Sequence, residues 1–234
     1  MSIATARIAW PILFALTVFV APSPAGDPTV ATTAPAQSTA APRPATLELM
    51  AQVQNNLRGI DSLEADFDQE KNLAVFKHKL NLSGRFALKQ PNWVIWIVDK
   101  PVRYAIRVEG DEVRQWEEDT NKVQVTHVAG DPTFKAISEQ LQAWFLGNYK
   151  ALEASYAVFV LSDKPSPLSL RFVPKAGTMI AKLIAHIDLT FSPDNRTIEK
   201  MIIQEAGGDW TTLTIRNARI NQPMKPQTWE IPPR

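Results

Sequence analysis

Cysteine is absent from the 234-residue chain, which excludes disulfides, thiolate zinc sites and thiol nucleophiles together. The fold must be held by its apolar core. No charge of either sign is in excess, since 25 Lys and Arg face 24 Asp and Glu. The basic footprint that nucleic acid or an anionic surface would require is therefore missing. Histidine is scarce: His78, His127 and His186 each lack a second ligand at helical or strand spacing, so no metal is expected. There is no G-x-S-x-G elbow, no glycine-rich phosphate loop and no H-E-x-x-H. Glu64 and Asp66 share a strand face, but it is the face opposite Leu63 and Phe67 and reads as solvated outer surface. No catalytic residue and no cofactor are expected, and the chain does not read as an enzyme.

One long apolar run is present, Ile8 to Val20. With Pro11 and Thr17 inside it, it falls short of the roughly 20 apolar residues a membrane span needs. Arg7 precedes it and Ser23-Pro24-Ala25 follows, so residues 1–25 read as a signal peptide cleaved before Gly26. No cysteine follows the run to carry a lipid. Residues 26–45 are rich in Pro, Ala and Thr and cannot bury enough surface to offset ordering entropy, so they read as a disordered linker. The folded domain is expected over residues 46–234, formally neutral, monomeric and outside the cytoplasm.

Within it, Thr46 and Gly59 bracket an amphipathic helix carrying Leu49 or Met50, Val53 and Leu57 on one side. Leu63, Ala65 and Phe67 alternate on a strand. Leu80, Leu82, Gly84, Phe86 and Leu88 alternate with Asn81, Ser83, Arg85 and Ala87 on a second, before a turn at Gln90-Pro91-Asn92. Trp93 to Val98 is aromatic and β-branched on both parities, so both of its faces should meet apolar material. Tyr104, Ile106 and Val108 alternate on the next strand. Further strands are expected at Val113 to Trp116, Lys122 to Val128, Tyr156 to Leu161, Leu168 to Val173, Leu183 to Phe191, Ile198 to Glu205 and Trp210 to Ile220. Phe134, Ile137, Leu141, Trp144 and Phe145 recur at helical spacing, and Ala176 to Lys182 reads as a short helix or a loop. A long antiparallel sheet must bend or split. A bent sheet with an apolar concave side leaves a groove for helices or a ligand.

The order of motifs resembles the LolA family of periplasmic carriers of outer-membrane lipoproteins. The resemblance rests on S-L-x-A-x-F-x-Q at Ser62 to Gln69, S-G-x-F-x-L-K-x-P at Ser83 to Pro91, W-x-x-x-x-P at Trp96 to Pro101 and V-x-G-x-x-V at Val108 to Val113. Phe172 to Lys175, I-x-L-x-F at Ile187 to Phe191 and W-x-I-P-P at Trp229 to Pro233 extend it to the end. It implies an α+β, mainly β fold: an incomplete β-barrel of about eleven antiparallel strands whose apolar concave face holds acyl chains under amphipathic helices. It implies cavity positions at Phe67, Leu82, Phe86, Leu88, Val94, Trp96, Val98 and Ile106, and lid positions at Ile137, Leu141 and Trp144. The partners implied are acylated lipoprotein cargo, an inner-membrane exporter and an outer-membrane receptor. At Gln90 the family usually has an arginine that latches the lid, so Gln90 is the polar latch candidate here, without charge. That difference leaves a glycolipid or polyene lipid as alternative cargo. A lipid-sensing periplasmic regulator, docking partners through Trp93 to Val98, is a third reading.

Processing at the expected position gives a secreted protein whose intact mass begins at Gly26; a mass retaining Met1 to Ala25 would refute the signal reading.

Overall fold

The computed structural model describes residues 42–73, 79–130, 132–162, 164 and 166–232, with side chains described outside 132–138. The expected signal segment, most of the linker and His78 lie outside these residues. The chain runs through β1 (Arg43–Pro44), α1 (Leu47–Asn56), β2 (Ser62–Asn72), β3 (Leu80–Lys89), β4 (Trp93–Lys100), β5 (Tyr104–Glu109), β6 (Glu112–Glu117) and β7 (Lys122–His127). Then come α2 (Pro132–Leu146), α3 (Tyr149–Glu153), β8 (Tyr156–Val160), β9 (Ser169–Pro174), β10 (Ile184–Phe191), β11 (Ile198–Glu205) and β12 (Trp210–Ile220). Single 3₁₀ turns occupy Ile180–Lys182 and Pro226–Trp229.

All strands join one antiparallel sheet in the order β1-β8-β9-β10-β11-β12-β2-β3-β4-β5-β6-β7. Eleven strands match the expected number, and the two-residue β1 adds a short edge beside β8. The chain thus makes two meanders, β2 to β7 and β8 to β12, sewn together where β12 pairs with β2 from Trp210↔Asn72 to Ile220↔Leu63. The edges β1 and β7 do not pair with each other, so the barrel is incomplete.

Alternation sorts the side chains onto two faces. The inner face gathers one continuous core: Leu63, Ala65 and Phe67 from β2, Leu82, Phe86 and Leu88 from β3, Val94, Trp96 and Val98 from β4, and their counterparts from β8 to β12. The outer face of the central strands has a second, smaller cluster of Ala87, Ile95, Ile97, Ala105 and Trp116. Met224, Trp229 and Ile231 of the C-terminal segment pack on it. Trp229 meets Trp93 edge-on at 5.3 Å, and Arg107 Nη1 donates to the Trp229 carbonyl at 2.9 Å. The doubly apolar β4 is thereby explained, with the helices on one side and the chain's own end on the other. Elsewhere the outer face is ionic. Arg219 reaches Glu64 at 3.1 Å, and Asn217 Nδ2 donates to Asp66 at 2.8 Å, so the Glu64 and Asp66 carboxylates serve the surface.

The helix ends follow local chemistry. Thr46 Oγ1 accepts from the Leu49 N–H at 3.2 Å as the N-cap of α1, and Gly59, at φ +77°, lets the chain turn into β2. Gly84 has a different reason to be glycine: a Cβ there would sit 1.9 Å from the Ile97 carbonyl oxygen and 3.0 Å from Phe67 Cζ. The β3–β4 register shifts between Ser83 and Gly84, bringing the β4 backbone against it. Gly84→Ala must move backbone rather than a side-chain tip, so a loss of about 3 kcal/mol is expected in urea unfolding; an unchanged midpoint would disprove the close approach.

Candidate functional site

The inner face is lined by aromatic rings. Phe67 lies 4.3 Å from Trp96 between ring centres, and Phe86 stacks on Trp96 at 5.1 Å with 16° between planes. Phe145 of α2 comes down on Phe86 at 5.1 Å. Beside this group Trp144 is edge-on to Tyr156 at 5.4 Å and to Phe172 at 4.8 Å, with Tyr149 of α3 at 5.8 Å from Phe172 and 6.0 Å from Phe191. Offset and edge-on arrangements like these each add to simple area burial.

Every expected cavity residue lies on this face. Phe67, Leu82, Phe86, Leu88, Val94, Trp96, Val98 and Ile106 are all buried in the same core. Of the expected lid residues, Leu141 and Trp144 are buried against it, while the side chain of Ile137 lies outside the described ones. Helix α2 spans β2 and β3, so the trough is closed in this conformation. The expected lid positions leave out Phe145, although it shares their helical spacing, and Leu146, both of which also point down, and α3, which supplies Tyr149 and Leu152. The Trp96 indole N–H is buried and has no hydrogen-bond partner among the described residues. The buried hydroxyls are held neutral: burial pushes the Tyr149 phenol above its ordinary range, and the Tyr156 phenol rises to about 12 by burial, partly offset by Gln140. No group of three histidine or acidic side chains suited to a metal occurs among the described residues.

Gln90, the expected latch, does not bond to α2. Gln90 Nε2 donates to the Ile60 carbonyl at 3.1 Å, just after α1, and its own N–H donates to Asp61 O at 2.9 Å. It therefore pins the entry to β2 rather than α2. The Tyr149 hydroxyl of α3 donates to the Trp144 carbonyl of α2 at 2.9 Å, and both pieces are tied to α1 by Gln54. Its Nε2 donates to the Gly147 carbonyl at 2.7 Å, and its Oε1 accepts from the Lys150 N–H at 3.3 Å. One carboxamide thus spans the turn between α2 and α3. Gly147, at φ +85°, allows that turn to approach Leu57, whose Cβ would be 2.4 Å from an added methyl. Gln54→Leu removes both bonds and should cost about 1–2 kcal/mol of lid closure. Faster amide hydrogen exchange over residues 141–153 with an unchanged sheet checks this; unchanged exchange would show that the tie is idle.

The sequence matches a known family and its members over most of its length. The family described as "Outer membrane lipoprotein carrier protein LolA" matches residues 58–232, which includes every strand of the trough from β2 to β12. The outer-membrane lipoprotein carrier protein of Xanthomonas oryzae pv. oryzae is 27% identical over 180 residues, covering 75% of this chain and 80% of that protein. That of Pseudoalteromonas translucida is 19% identical over 185 residues, covering 77% and 81%. Among solved structures, a LolA superfamily protein from Nitrosomonas europaea aligns with 80% of this chain and 98% of its own at 10% identity and a TM-score of 0.40. With the family matched across every strand from β2 to β12 and across α2 and α3, the chain belongs to the LolA family of outer membrane lipoprotein carriers.

Proposed function

We propose that this protein is a periplasmic carrier that shields the acyl chains of lipoproteins between an inner-membrane exporter and an outer-membrane receptor. The observation that carries the reading is the covering of the inner face: a continuous apolar trough is closed by α1, α2 and the five-residue α3, not by a second sheet. A cover made of so little backbone can lift without unmaking the sheet. The lipoprotein carriers named above support the choice of cargo.

The energies are of the right size for transfer without chemistry. A sixteen-carbon chain gains about 12 kcal/mol on leaving water, at about 0.8 kcal/mol per CH₂. A lid sealing roughly 400 Å² of apolar wall gains about 10 kcal/mol at about 25 cal/mol per Å². Cargo and lid compete for one surface at nearly equal stakes, so a chain can enter and leave with no covalent step. The regulator reading is less well supported, because the outer face of β4 that it would use for docking is covered by Met224, Trp229 and Ile231. A glycolipid or polyene cargo stays as the second reading, on the single observation that Gln90 engages Ile60 and leaves α2 without the family's latch.

Native mass spectrometry of the protein purified from its own periplasm is the direct test: a bound acylated species supports the carrier, and its mass separates lipoprotein from glycolipid. Trp96→Glu puts a carboxylate into the aromatic stack and should cut uptake of a fluorescent lipid by more than about tenfold. Leu141→Gln, milder, should lower it in a protein that keeps its circular dichroism. Undiminished uptake in both would overturn the assignment of the trough.

A further inference from the structure

The inner face changes character at one end. Along β2 the inward row reads Leu63, Ala65, Phe67, and then Gln69 and Lys71. Gln69 and Lys71 are each only 1% exposed. Lys71 pairs with Thr211 of β12, and Gln69 with Leu213. Cross-strand partners share a face, so the Thr211 side chain points inward as well. Thr211 is fully buried, and its Oγ1 has no hydrogen-bond partner among the described residues. One strand further, Ile203 pairs with Thr211, and Glu205 follows on the same parity. Glu205 Oε1 lies 3.3 Å from Lys71 Nζ. A buried ammonium, a buried carboxamide and an unpartnered buried hydroxyl thus stand together at the end of an apolar trough. Leu80, Leu82, Ile184 and Ile203 surround them.

Fold stability gives no reason for this group. An apolar pair of similar volume in place of a buried ion pair is often neutral or stabilising, and the rest of the face is apolar. The donors and their charge point to a ligand instead. Glu205 already neutralises Lys71, so a second carboxylate would meet its like charge. An ammonium has three N–H donors and a hydroxyl one; with Glu205 on one side of Lys71, donors remain for a neutral acceptor. Resting on the carrier reading, we propose that Lys71 and Thr211 bind the carbonyl oxygen that links an acyl chain to its head group. The hydrocarbon then runs from there along the trough toward Phe67 and Trp96. Lys71 lies four residues from Phe67 on β2, about 13 Å at strand rise. Gln69, between them on the same row, marks the step from polar to apolar wall.

The test compares acyl probes of one chain length in displacing an apolar dye from the full chain. They are 1-palmitoylglycerol with its ester carbonyl, N-(2-hydroxyethyl)hexadecanamide with an amide carbonyl, and 1-hexadecylglycerol, an ether with none. The wild type should favour a carbonyl probe over the ether by about tenfold, the size of a charge-assisted hydrogen bond; the better carbonyl probe identifies glycerol-linked or nitrogen-linked chains. Lys71→Met should reduce that preference to about twofold or less while leaving ether binding unchanged, which also shows that the variant is folded. Thr211→Val should reduce it in part and serves if the first variant does not fold. Equal binding of ester, amide and ether by the wild type, or an undiminished preference in both variants, overturns this inference and leaves the carrier standing. Palmitate displacing the dye better than either carbonyl probe overturns it in favour of an anion site. Failure of every probe to displace the dye overturns the carrier reading itself.

Discussion

An apolar sheet face facing inward has to be covered, and here the cover is a contact between rings. Phe145 on Phe86, and Trp144 against Tyr156 and Phe172, hold α2 onto the trough. Other features gather around this contact. Gly147 lets the chain turn tightly beside Leu57, α3 adds Tyr149 to the same rings, and Gln54 ties both helical pieces to α1. The cover is mostly apolar where it touches, with Gln140 of α2 donating to the buried Tyr156 hydroxyl of β8. Such a contact is strong in total and weakly directional.

The outer face obeys the same rule by different means. Ile95, Ile97, Ala105 and Trp116 would be exposed on a strand sheet open to water, and the C-terminal segment lies over them through Trp229. The two covers differ in kind. The inner one is an amphipathic helix. The outer one is mostly irregular chain, fixed by the Arg107 bond to the Trp229 carbonyl and by a single 3₁₀ turn.

Much of this was legible in the amino-acid order. Period-two alternation separated the two faces of β2 and β3, the family resemblance implied which one looks inward, and the two-sided apolarity of Trp93 to Val98 required material on both faces of β4. The glycine of the S-G-x-F motif was visible as a motif residue, but its reason, the carbonyl of Ile97, lies on the next strand across a register shift. Helix α3 escaped because five residues after a glycine hold too little of a helical period to stand out. Gln54 escaped for another reason: an uncharged polar residue on a helix carries no sign of what it bonds. Gln90 reads from the resemblance as a latch for α2, but which backbone carbonyl it reaches depends on the fold of the α1–β2 connection, and that carbonyl is Ile60. The inward pair Gln69 and Lys71 was readable as a break in the alternation after Phe67; only the pairing with β12 shows that it is buried.

The seam between β2 and β12 bears on how the chain is made. Each meander is a run of hairpins between neighbours in sequence, whereas Phe67 pairs with Ile215, nearly the whole domain apart. Closing so long a loop is entropically costly, and contacts of this kind govern the pace of folding. A chain emerging from its N-terminus therefore presents β2 with one edge unpaired until the last strand appears. Its inward row is apolar from Leu63 to Phe67, so that interval is the period of greatest exposure to aggregation. The final long strand acts as a zip: until it is in place neither half has an enclosed interior.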